Sequence, residues 1–461
     1  MRQVFETGQA TTVGRMVGIF AALGALTMLG ACNPGGAAEE RPGKPEWTGE
    51  TVTVEVTADQ HTVMLDENVA YDGFTFNGTI PSEQFTVQEG DSVEFVIHNE
   101  DHVAHGLSIH AADAQTSAHV ANVAAGETAS VTFKAKYPGV FMYHCAPGGH
   151  GIMTHTKAGQ HGMIVVEPQD AQYGLEADLG REPDLEVFVV QHEVYKDGRD
   201  FFDGKPLYVM FNGELWRYVK DPIQARPGDY IRFYYVNNGP NLTSTFHIVG
   251  GIFDYMHFQG NPRNVEVGGQ SVTSGPTDSW VIEWEVPSQE GDYTMVTHAF
   301  GTQTAKGAIG IISVSEDAER TEVVRSEGPD TRDRVSEFAD NGEEPRRMVR
   351  PFAPGSRDLD RPVRFSQGEE PVIEIVGNSF VPKVTQVPAG TEVTFINEDV
   401  FDMLNFEQTG LHNATRTSGP DEFSTPMLEH AETSTITLTE PGTYEYACTM
   451  HAYMRGVIEV Y

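Results

Sequence analysis

The sequence has little positive charge and few cysteines. Its 461 residues include 30 Lys and Arg against 67 Asp and Glu, which gives a formal net charge of −37. Because so acidic a chain has no basic surface to offer to phosphates, we exclude a general nucleic-acid-binding function. The three cysteines, Cys32, Cys145 and Cys448, are too few and too far apart to indicate a disulfide framework.

Apolar runs long enough to span a membrane are missing as well. A run of about 15 apolar residues near the start follows Arg2 and Arg15, and this length suits the core of a signal peptide better than a membrane span. It ends in Leu29-Gly-Ala-Cys32, which resembles the bacterial lipoprotein box and implies cleavage before Cys32 and lipidation of its sulfur. An ordinary signal peptide with an incidental cysteine is the alternative. We therefore expect residues 1–31 to be a signal peptide and residues 32–50 to tether an exported protein, periplasmic or at the cell surface, to a membrane.

A repeated β pattern fills the rest of the chain. Short runs of Val, Thr, Phe, Tyr and Ile alternate with polar residues and break at Gly, Pro, Asn and Asp. A Gly-Asp or Gly-Thr turn opens a strand three times, and a second Gly-turn strand follows each about 50–65 residues later. The repeat predicts an all-β protein of three tandem Greek-key sandwiches. Their ranges are 51–168, 169–316 and 371–461, and the Arg-rich and acidic residues 317–370 predict a solvated linker of low order.

The first of these segments carries four metal-ligand side chains on two predicted strands. His105 and His110 lie five residues apart on one strand, and His144 and Cys145 are adjacent on another. Because side chains alternate between the faces of a strand, each pair must split, which groups His105 with Cys145 and His110 with His144. A Cys thiolate with imidazoles selects copper of the blue, electron-transfer kind, whereas an all-imidazole site with an open position suits catalysis. The adjacent residues 144 and 145 would join the two metals through very few bonds.

Three motifs in this part of the chain resemble those of the copper-containing nitrite reductases. They are His105-Gly-Leu-Ser-Ile-His110, Gly139-Val-Phe-Met-Tyr-His-Cys-Ala-Pro147 and Phe246-His-Ile-Val-Gly-Gly251. The similarity extends over residues 50–315 and implies that the sandwiches are cupredoxin domains with copper as the cofactor. It also implies nitrite as the substrate, nitric oxide as the product, and a homotrimer.

The same resemblance assigns ligands. It implies that His105, Cys145 and a later His, His155, hold a type 1 copper. It implies that a type 2 copper is bound by His110, His144 and His298, the last from a neighbouring subunit, and that His247 is the active-site histidine. The second segment has Thr297 where the other two have Cys, so we expect no blue copper there.

Two positions depart from the family. Ser108 stands where the family has a catalytic Asp, and a serine can hydrogen-bond to nitrite but is no general acid near neutral pH. Gln160 stands where the family has its axial Met, and an amide oxygen is an accepted axial ligand that should lower the reduction potential. A rival ligand pair, His150 with Met153, has the short spacing of single-domain cupredoxins and stays open.

Two further histidines, His161 and His257, are interpreted as surface residues or as neighbours of the ligands.

The last segment ends in Cys448-Thr-Met-His451-Ala-Tyr-Met454, the soft ligand set of a blue copper site on one loop. It resembles the plastocyanin-like cupredoxins. Their first His ligand usually lies close after an Asn-Glu-Asp turn, but no histidine follows closely at that position in this chain. We therefore predict His412 as that ligand and His430 as the fallback. A fused module of this kind would replace a diffusing electron donor and raise its effective concentration.

The sequence therefore predicts an exported copper nitrite reductase in which electrons pass from the C-terminal blue copper to the type 1 copper and on to the type 2 copper. An external electron-donor protein is a further possible partner. One rival is a copper oxidase or reductase acting on O₂ or another small nitrogen oxide, which Ser108 favours. The other is a non-catalytic electron carrier or copper store, against which the three imidazoles of the type 2 site argue. The chain has no Gly-rich phosphate loop before a helix, no nucleophile elbow and no Cys-x-x-Cys pair.

Overall fold

A computed structural model describes most of the chain after residue 50. The described residues are 51–66, 69–101, 103–147, 151–195, 204–320, 322–325, 347–349, 362–376, 379–397, 411–429, 431–450 and 454–461. Cys32 and the predicted signal and tether segments lie outside them, as do His150, His430, His451 and the side chain of Met153. Within these ranges, none of the helices has the length and apolar character needed to cross a membrane.

The first sandwich has eight strands in two sheets. In chain order its elements are β1 (Thr51–Asp66), β2 (Val69–Phe76), β3 (Gln84–Gln88), β4 (Ser92–Asn99), β5 (Ser108–Ile109), α1 (Thr116–His119), β6 (Thr128–Lys134), β7 (Gly139–His144), α2 (Gly151–Lys157) and β8 (His161–Glu167). One sheet has the order β2-β1-β4-β6 and the other the order β3-β8-β7-β5. Along β4, the side chains of Val93, Phe95 and Ile97 are buried and those between them are partly exposed, as a strand with one core-facing side requires.

The second sandwich is larger. Its elements are α3 (Gly174–Leu179), β9 (Leu185–Val194), β10 (Tyr208–Phe211), α4 (Arg217–Lys220), β11 (Ile223–Ala225), β12 (Tyr230–Gly239), β13 (Ser244–Ile248), β14 (Phe253–Phe258), β15 (Val265–Gly269), β16 (Ser271–Ser274), β17 (Ser279–Glu285), β18 (Gly291–Thr297), a 3₁₀ turn (Thr304–Lys306) and β19 (Ile309–Val314). The two sheets run β10-β9-β12-β17-β14-β15 and β11-β19-β18-β13-β16. Their facing sides bury aromatic residues, among them Phe233, Phe246 and Trp284.

Short strands within residues 317–370 attach to the sandwiches. Strand β20 (Val323–Val324) pairs with β9, and β21 (Arg347–Val349) pairs with β2 of the first sandwich. Such short strands in a stretch dominated by charge have no readable hydrophobic period. The predicted solvated linker therefore forms strands in these described parts.

The third sandwich comprises the last part of the chain. Its strands are β22 (Val363–Arg364), β23 (Val372–Val376), β24 (Ser379–Val381), β25 (Val384–Val387), β26 (Glu392–Asn397), β27 (Thr415–Ser418), β28 (Thr433–Thr437), β29 (Gly442–Ala447) and β30 (Arg455–Val460). They form sheets with the orders β22-β25-β30-β29-β27 and β24-β23-β26-β28. The prediction of an all-β chain of three tandem sandwiches is confirmed.

One contact joins the third sandwich to the first. The side chain of Val381, at the end of β24, is buried in a small apolar cluster with Phe74, Val103 and Ala158. Val381 precedes β25 by three residues, and the first residue of β25, Val384, lies opposite Val457 of β30.

A polar cluster lies where the first sandwich meets the second. The imidazoles of His161 on β8 and His192 on β9 have ring centroids 5.4 Å apart, and the Asn238 amide donates a hydrogen bond to His161 Nδ1 over 3.1 Å. Both rings are buried, and burial lowers the pKa of His192 to about 3 and the pKa of His161 well below its usual value. Of the two predicted alternatives for His161, the surface position is wrong, because the second sandwich covers this face of β8. The other alternative holds, since His161 lies directly opposite the predicted ligand His144 in the β7–β8 ladder.

His257 is buried as well. Its Nε2 lies 3.1 Å from Glu283 Oε2, and the same carboxylate oxygen accepts the Leu175 backbone N–H at the start of α3. A surface position is therefore wrong for this residue too: its ring ties β14 to β17 beneath α3.

Acid is expected to destabilise the fold through His192. Its folded pKa of about 3 lies below the unfolded value of about 6.5. Between these values the unfolded state binds the extra proton, so stability is complete above pH 6.5 and falls as the pH is lowered, by about 1.4 kcal/mol per pH unit for one group. We expect the melting temperature to fall less between pH 7 and pH 5 in a His192→Gln variant than in the parent. The exposed His119 provides the control, His119→Gln, whose melting temperatures should follow those of the parent. Equal pH slopes for all three proteins would contradict the prediction.

Candidate metal centres

Three buried side chains of the first sandwich converge on one point. Cys145 Sγ lies 3.5 Å from His105 Nδ1 and 3.4 Å from His155 Nδ1, and the two nitrogens are 3.1 Å apart. Cys145 follows the end of β7, His105 precedes β5, and His155 lies in α2. All three residues are completely buried. Among the described His, Cys, Asp and Glu residues, this is the only group of three whose ligand atoms all come within 4.8 Å of one another.

Gln160 completes this cluster. Its Oε1 lies 2.8 Å from His105 Nδ1, and its Nε2 donates a hydrogen bond to the carbonyl of Thr75 over 2.9 Å. The Thr75 carbonyl thereby fixes which end of the amide faces the other ligand atoms. A thiol, two imidazoles and an amide oxygen are the ligand set of a blue copper site, so these residues fit the predicted type 1 copper.

Phe74 covers both imidazoles of this cluster. Its ring centroid lies 4.4 Å from that of His155 and 5.4 Å from that of His105. Phe74 is itself buried in an apolar cluster with Val381 of the third sandwich. The ligand cluster is therefore closed off from solvent on this side by apolar packing, which also keeps its dielectric low.

His110 and His144 form a separate pair on the other face of the same strands. Their ring centroids are 5.2 Å apart, and Ser108 lies directly opposite His144 in the β5–β7 ladder. His144 Nδ1 donates to the carbonyl of Cys145 over 2.8 Å, which leaves its Nε2 as the nitrogen able to bind a metal. Burial, and to a smaller extent the neighbouring His110, lower the pKa of His144 to about 4. The imidazole is therefore neutral near pH 7 and competent as a ligand.

A second imidazole pair lies on the second sandwich. The ring centroids of His247 and His298 are 5.4 Å apart, and His298 is exposed beside the exposed ring of Phe300. His247 Nδ1 donates to the carbonyl of Gln270 over 2.5 Å, and the His298 backbone N–H donates to the carbonyl of Thr245 over 2.7 Å. Among the described residues, His298 does not form a group of ligand atoms with His110 and His144, so the two pairs are separate within the chain.

The second sandwich has a polar network where the first has its cysteine. Thr297 Oγ1 accepts a hydrogen bond from Ser244 Oγ over 3.0 Å and lies 3.3 Å from Gln303 Oε1. A hydroxyl network of this kind has no soft donor for copper.

The third sandwich repeats the arrangement of the first. The Cys448 backbone N–H donates to the carbonyl of Met454 over 3.1 Å, as that of Cys145 does to the carbonyl of Gln160 over the same distance. Cys448 Sγ lies 3.9 Å from His412 Nδ1, and Cys448, His412 and Met454 are all buried. These residues therefore fit a second blue copper site, for which His451 lies outside the described residues.

An isolated β-bridge supports the choice of His412. It pairs with Leu428, as His105 pairs with Val123 in the first sandwich. The two histidines therefore hold equivalent backbone positions, although an insertion separates His412 from the strand that precedes it.

Sequence reasoning missed three residues around the core cluster: Phe74, Thr75 and Asp101. Each contacts a ligand from a distant part of the chain or from a turn. An internal comparison could have drawn attention to Asp101, since Asn99-Glu-Asp101 recurs as Asn397-Glu-Asp399.

Two family models match this chain. Residues 57–171 match a family described as multicopper oxidase, and residues 373–461 match copper binding proteins of the plastocyanin/azurin family. Together they cover the two sandwiches that contain a buried cysteine.

Solved structures and curated proteins agree with these matches. The chain is 48% identical to a Cu-containing nitrite reductase from Thermus scotoductus SA-01, with a TM-score of 0.66, over 89% of this chain and 99% of that one. A copper nitrite reductase from Nitrosomonas europaea is 33% identical, with a TM-score of 0.54, over 59% of this chain and 96% of that one. A copper-containing nitrite reductase from Neisseria meningitidis serogroup A is 33% identical over 64% of this chain and 76% of its own length.

Proposed function

The chain belongs to the copper-containing nitrite reductase family, and we propose that it reduces nitrite to nitric oxide at a type 2 copper shared between neighbouring subunits. The observation that carries the proposal is the presence of two separate imidazole pairs. His110 and His144 supply two ligands from the first sandwich of one subunit, and His298 supplies the third from the second sandwich of its neighbour. A homotrimer in which each subunit contacts the next in this way would build three such sites.

An exposed apolar side chain beside His298 supports this assembly. The ring centroid of Phe300 lies 4.6 Å from that of His298, and Phe300 is 50% exposed. A large apolar side chain exposed beside a candidate metal ligand is typical of a surface that another subunit covers.

When bound, copper would supply one-electron chemistry, and we propose the order C-terminal blue copper, core type 1 copper, type 2 copper for the electrons. Within the chain, the peptide bond between Cys145 and His144 links the two core ligand sets. The hydrogen bond from His144 Nδ1 to the Cys145 carbonyl adds a second short connection and holds the ring in place. Conversion of nitrite to nitric oxide takes one electron and two protons and releases water.

We assign Ser108 and His247 to the binding and protonation of nitrite. Ser108 lies opposite His144 in the ladder and is partly exposed, so its hydroxyl can donate a hydrogen bond to a nitrite oxygen. Because a serine does not titrate near neutral pH, we assign proton delivery to His247, whose Nδ1 is held by the Gln270 carbonyl. Its Nε2 remains available to exchange a proton with substrate or water.

Nitric oxide release on an electrode tests the function. Copper-loaded protein with a reduced artificial donor is expected to release nitric oxide only when nitrite is present, and removal of copper by a chelator should stop the release. Ser108→Ala should lower kcat/KM for nitrite about fivefold, the value of one hydrogen bond of about 1 kcal/mol. No nitric oxide from protein shown spectroscopically to hold both copper types would remove the proposed function.

A second candidate function is the reduction of O₂ or another small nitrogen oxide. It is favoured by Ser108, which replaces the family's Asp, and by the multicopper-oxidase match over residues 57–171. Ser108→Asp separates the two functions in the same apparatus. A large gain in nitrite turnover would mean that the native site serves another substrate.

We further propose that the protein is exported and tethered to a membrane through a lipid on Cys32, on the strength of the sequence Leu29-Gly-Ala-Cys32.

A further inference from the structure

We propose that Asp101 is a positioning residue of the core blue copper site, and that its carboxylate orients His105 and lowers the reduction potential of the copper bound there. Asp101 Oδ2 lies 2.9 Å from His105 Nε2, and both side chains are buried, with 1% and 0% of their surface exposed. The proposal rests on the proposed type 1 copper and not on the identity of the substrate.

The contact determines which nitrogen of His105 faces the metal. Nε2 carries a proton and donates a hydrogen bond to the carboxylate, so the lone pair of the neutral ring is on Nδ1. Nδ1 is the atom that lies 3.5 Å from Cys145 Sγ and 3.1 Å from His155 Nδ1. Asp101 therefore holds the ring in the tautomer and the orientation that the ligand cluster needs.

The turn after β4 holds Asp101 firmly. Its backbone N–H donates to Asn99 Oδ1 over 2.9 Å, while Asn99 Nδ2 donates to the carbonyls of Val103 and Val123 over 2.7 and 2.8 Å. The Val123 carbonyl also accepts the backbone N–H of His105 over 3.1 Å. The turn with the carboxylate and the segment with the ligand are thus tied to the same residue.

The charge of Asp101 favours the oxidised metal. A buried negative charge interacts more strongly with Cu(II) than with Cu(I), and the surrounding apolar packing leaves little water to screen it. Gln160 is expected to act in the same direction as an axial ligand. A lower potential at this centre increases the driving force for electron transfer to the type 2 copper.

Asp101→Asn tests the proposal because Asn keeps the shape and an acceptor oxygen but removes the charge. The experiment uses full-length copper-loaded protein in a Cys448→Ser background, so that the core site gives the only blue absorption. We expect the blue band to remain and the reduction potential to rise. The rise should correspond to at least a tenfold shift in the relative affinity for Cu(I) over Cu(II), which is about 59 mV for one electron.

Asp91→Asn is the matched control. Asp91 is also a buried carboxylate, but it lies before β4, whereas Asp101 lies after it. Its side chain accepts the backbone N–H of Gln88 over 3.0 Å. Its replacement should leave the potential unchanged.

Two outcomes would overturn the proposal. One is a retained blue band with an unchanged potential in Asp101→Asn. The other concerns the case in which Asp101→Asn loses the blue band. The Asp101→Glu variant, which keeps the carboxylate, should then show the blue band, and its absence in that variant would contradict the assignment. Since the readout is a potential and a spectrum, it stands apart from whether nitrite is the substrate.

Discussion

Replacing His298 with Ala is expected to abolish nitrite reduction, and co-expression with a His110→Ala variant is expected to restore part of it. Each variant alone lacks one type 2 ligand at every site. Replacing a residue that only supports a metal ligand already costs up to about 100-fold in activity, so the loss of a ligand itself should lower nitric oxide release by at least about 100-fold. The blue absorption should remain, because both blue sites use other residues.

The restored fraction follows from the geometry of a shared site. A complete site needs the first sandwich of a His298→Ala chain beside the second sandwich of a His110→Ala chain. If the two chains assemble at random in equal amounts, each condition holds at half of the interfaces, so about a quarter of the sites are complete. Nitric oxide release by the co-expressed protein as a whole should therefore recover to about a quarter of the wild-type rate.

Co-expression of His110→Ala with His144→Ala is the control. Both changes damage the same half of the site, so no pairing of chains can complete it, and the activity should stay at the level of the single variants. Activity in the control equal to that of the mixed trimers would contradict the shared site. The shared site would also be contradicted if either variant, expressed alone, kept both its type 2 copper and its turnover.

The fold could be predicted from the sequence because it repeats. Three recurrences of a Gly turn before an alternating strand indicate three sandwiches, and the structure has them. The strands β20 and β21 could not be predicted, because two or three residues show no period and their position depends on the sheet edges that they meet. Helix α2, which carries His155, is likewise too short to show a helical period in the sequence. Its formation depends on the packing around it.

The candidate site divides along a similar line. Strand alternation predicts the separation of Cys145 from His144, since it depends only on neighbouring residues. The contacts of Phe74 and Thr75 depend on how a distant strand packs against the cluster, which no local pattern records. The burial of His161 likewise depends on the second sandwich, whose surface carries His192 and Asn238.

The Val381 contact gives the third sandwich a definite place in the proposed function. Val381 packs in one buried apolar cluster with Phe74, and the ring of Phe74 packs against the rings of His105 and His155. An external donor protein that needs this apolar surface would find it covered. The third sandwich is therefore expected to control the access of protein donors to the core site as well as to carry electrons.

Cys448→Ser is expected to slow turnover more than removal of the whole third sandwich does. The substitution removes one blue copper ligand but leaves Val381 in place, so a protein donor finds neither a working relay nor an open surface. With a small blue copper protein as donor at limiting concentration, nitric oxide release should fall by at least about tenfold, since the gain from a tethered donor is about a hundredfold or more. Deletion of residues 362–461 should expose Phe74, Val103 and Ala158 and give a rate between those of Cys448→Ser and the intact chain.

A small-molecule reductant distinguishes a loss of electron supply through the third sandwich from damage to the copper sites of the first two sandwiches. Its access does not depend on the apolar surface, so all three proteins should turn over nitrite at similar rates at a saturating concentration. If the deletion variant matches the intact chain with limiting protein donor, the fused sandwich does not act as a tethered donor. If Cys448→Ser matches the intact chain, the electrons do not need the C-terminal copper, because the third sandwich is present in both proteins and the only difference between them is the ligand.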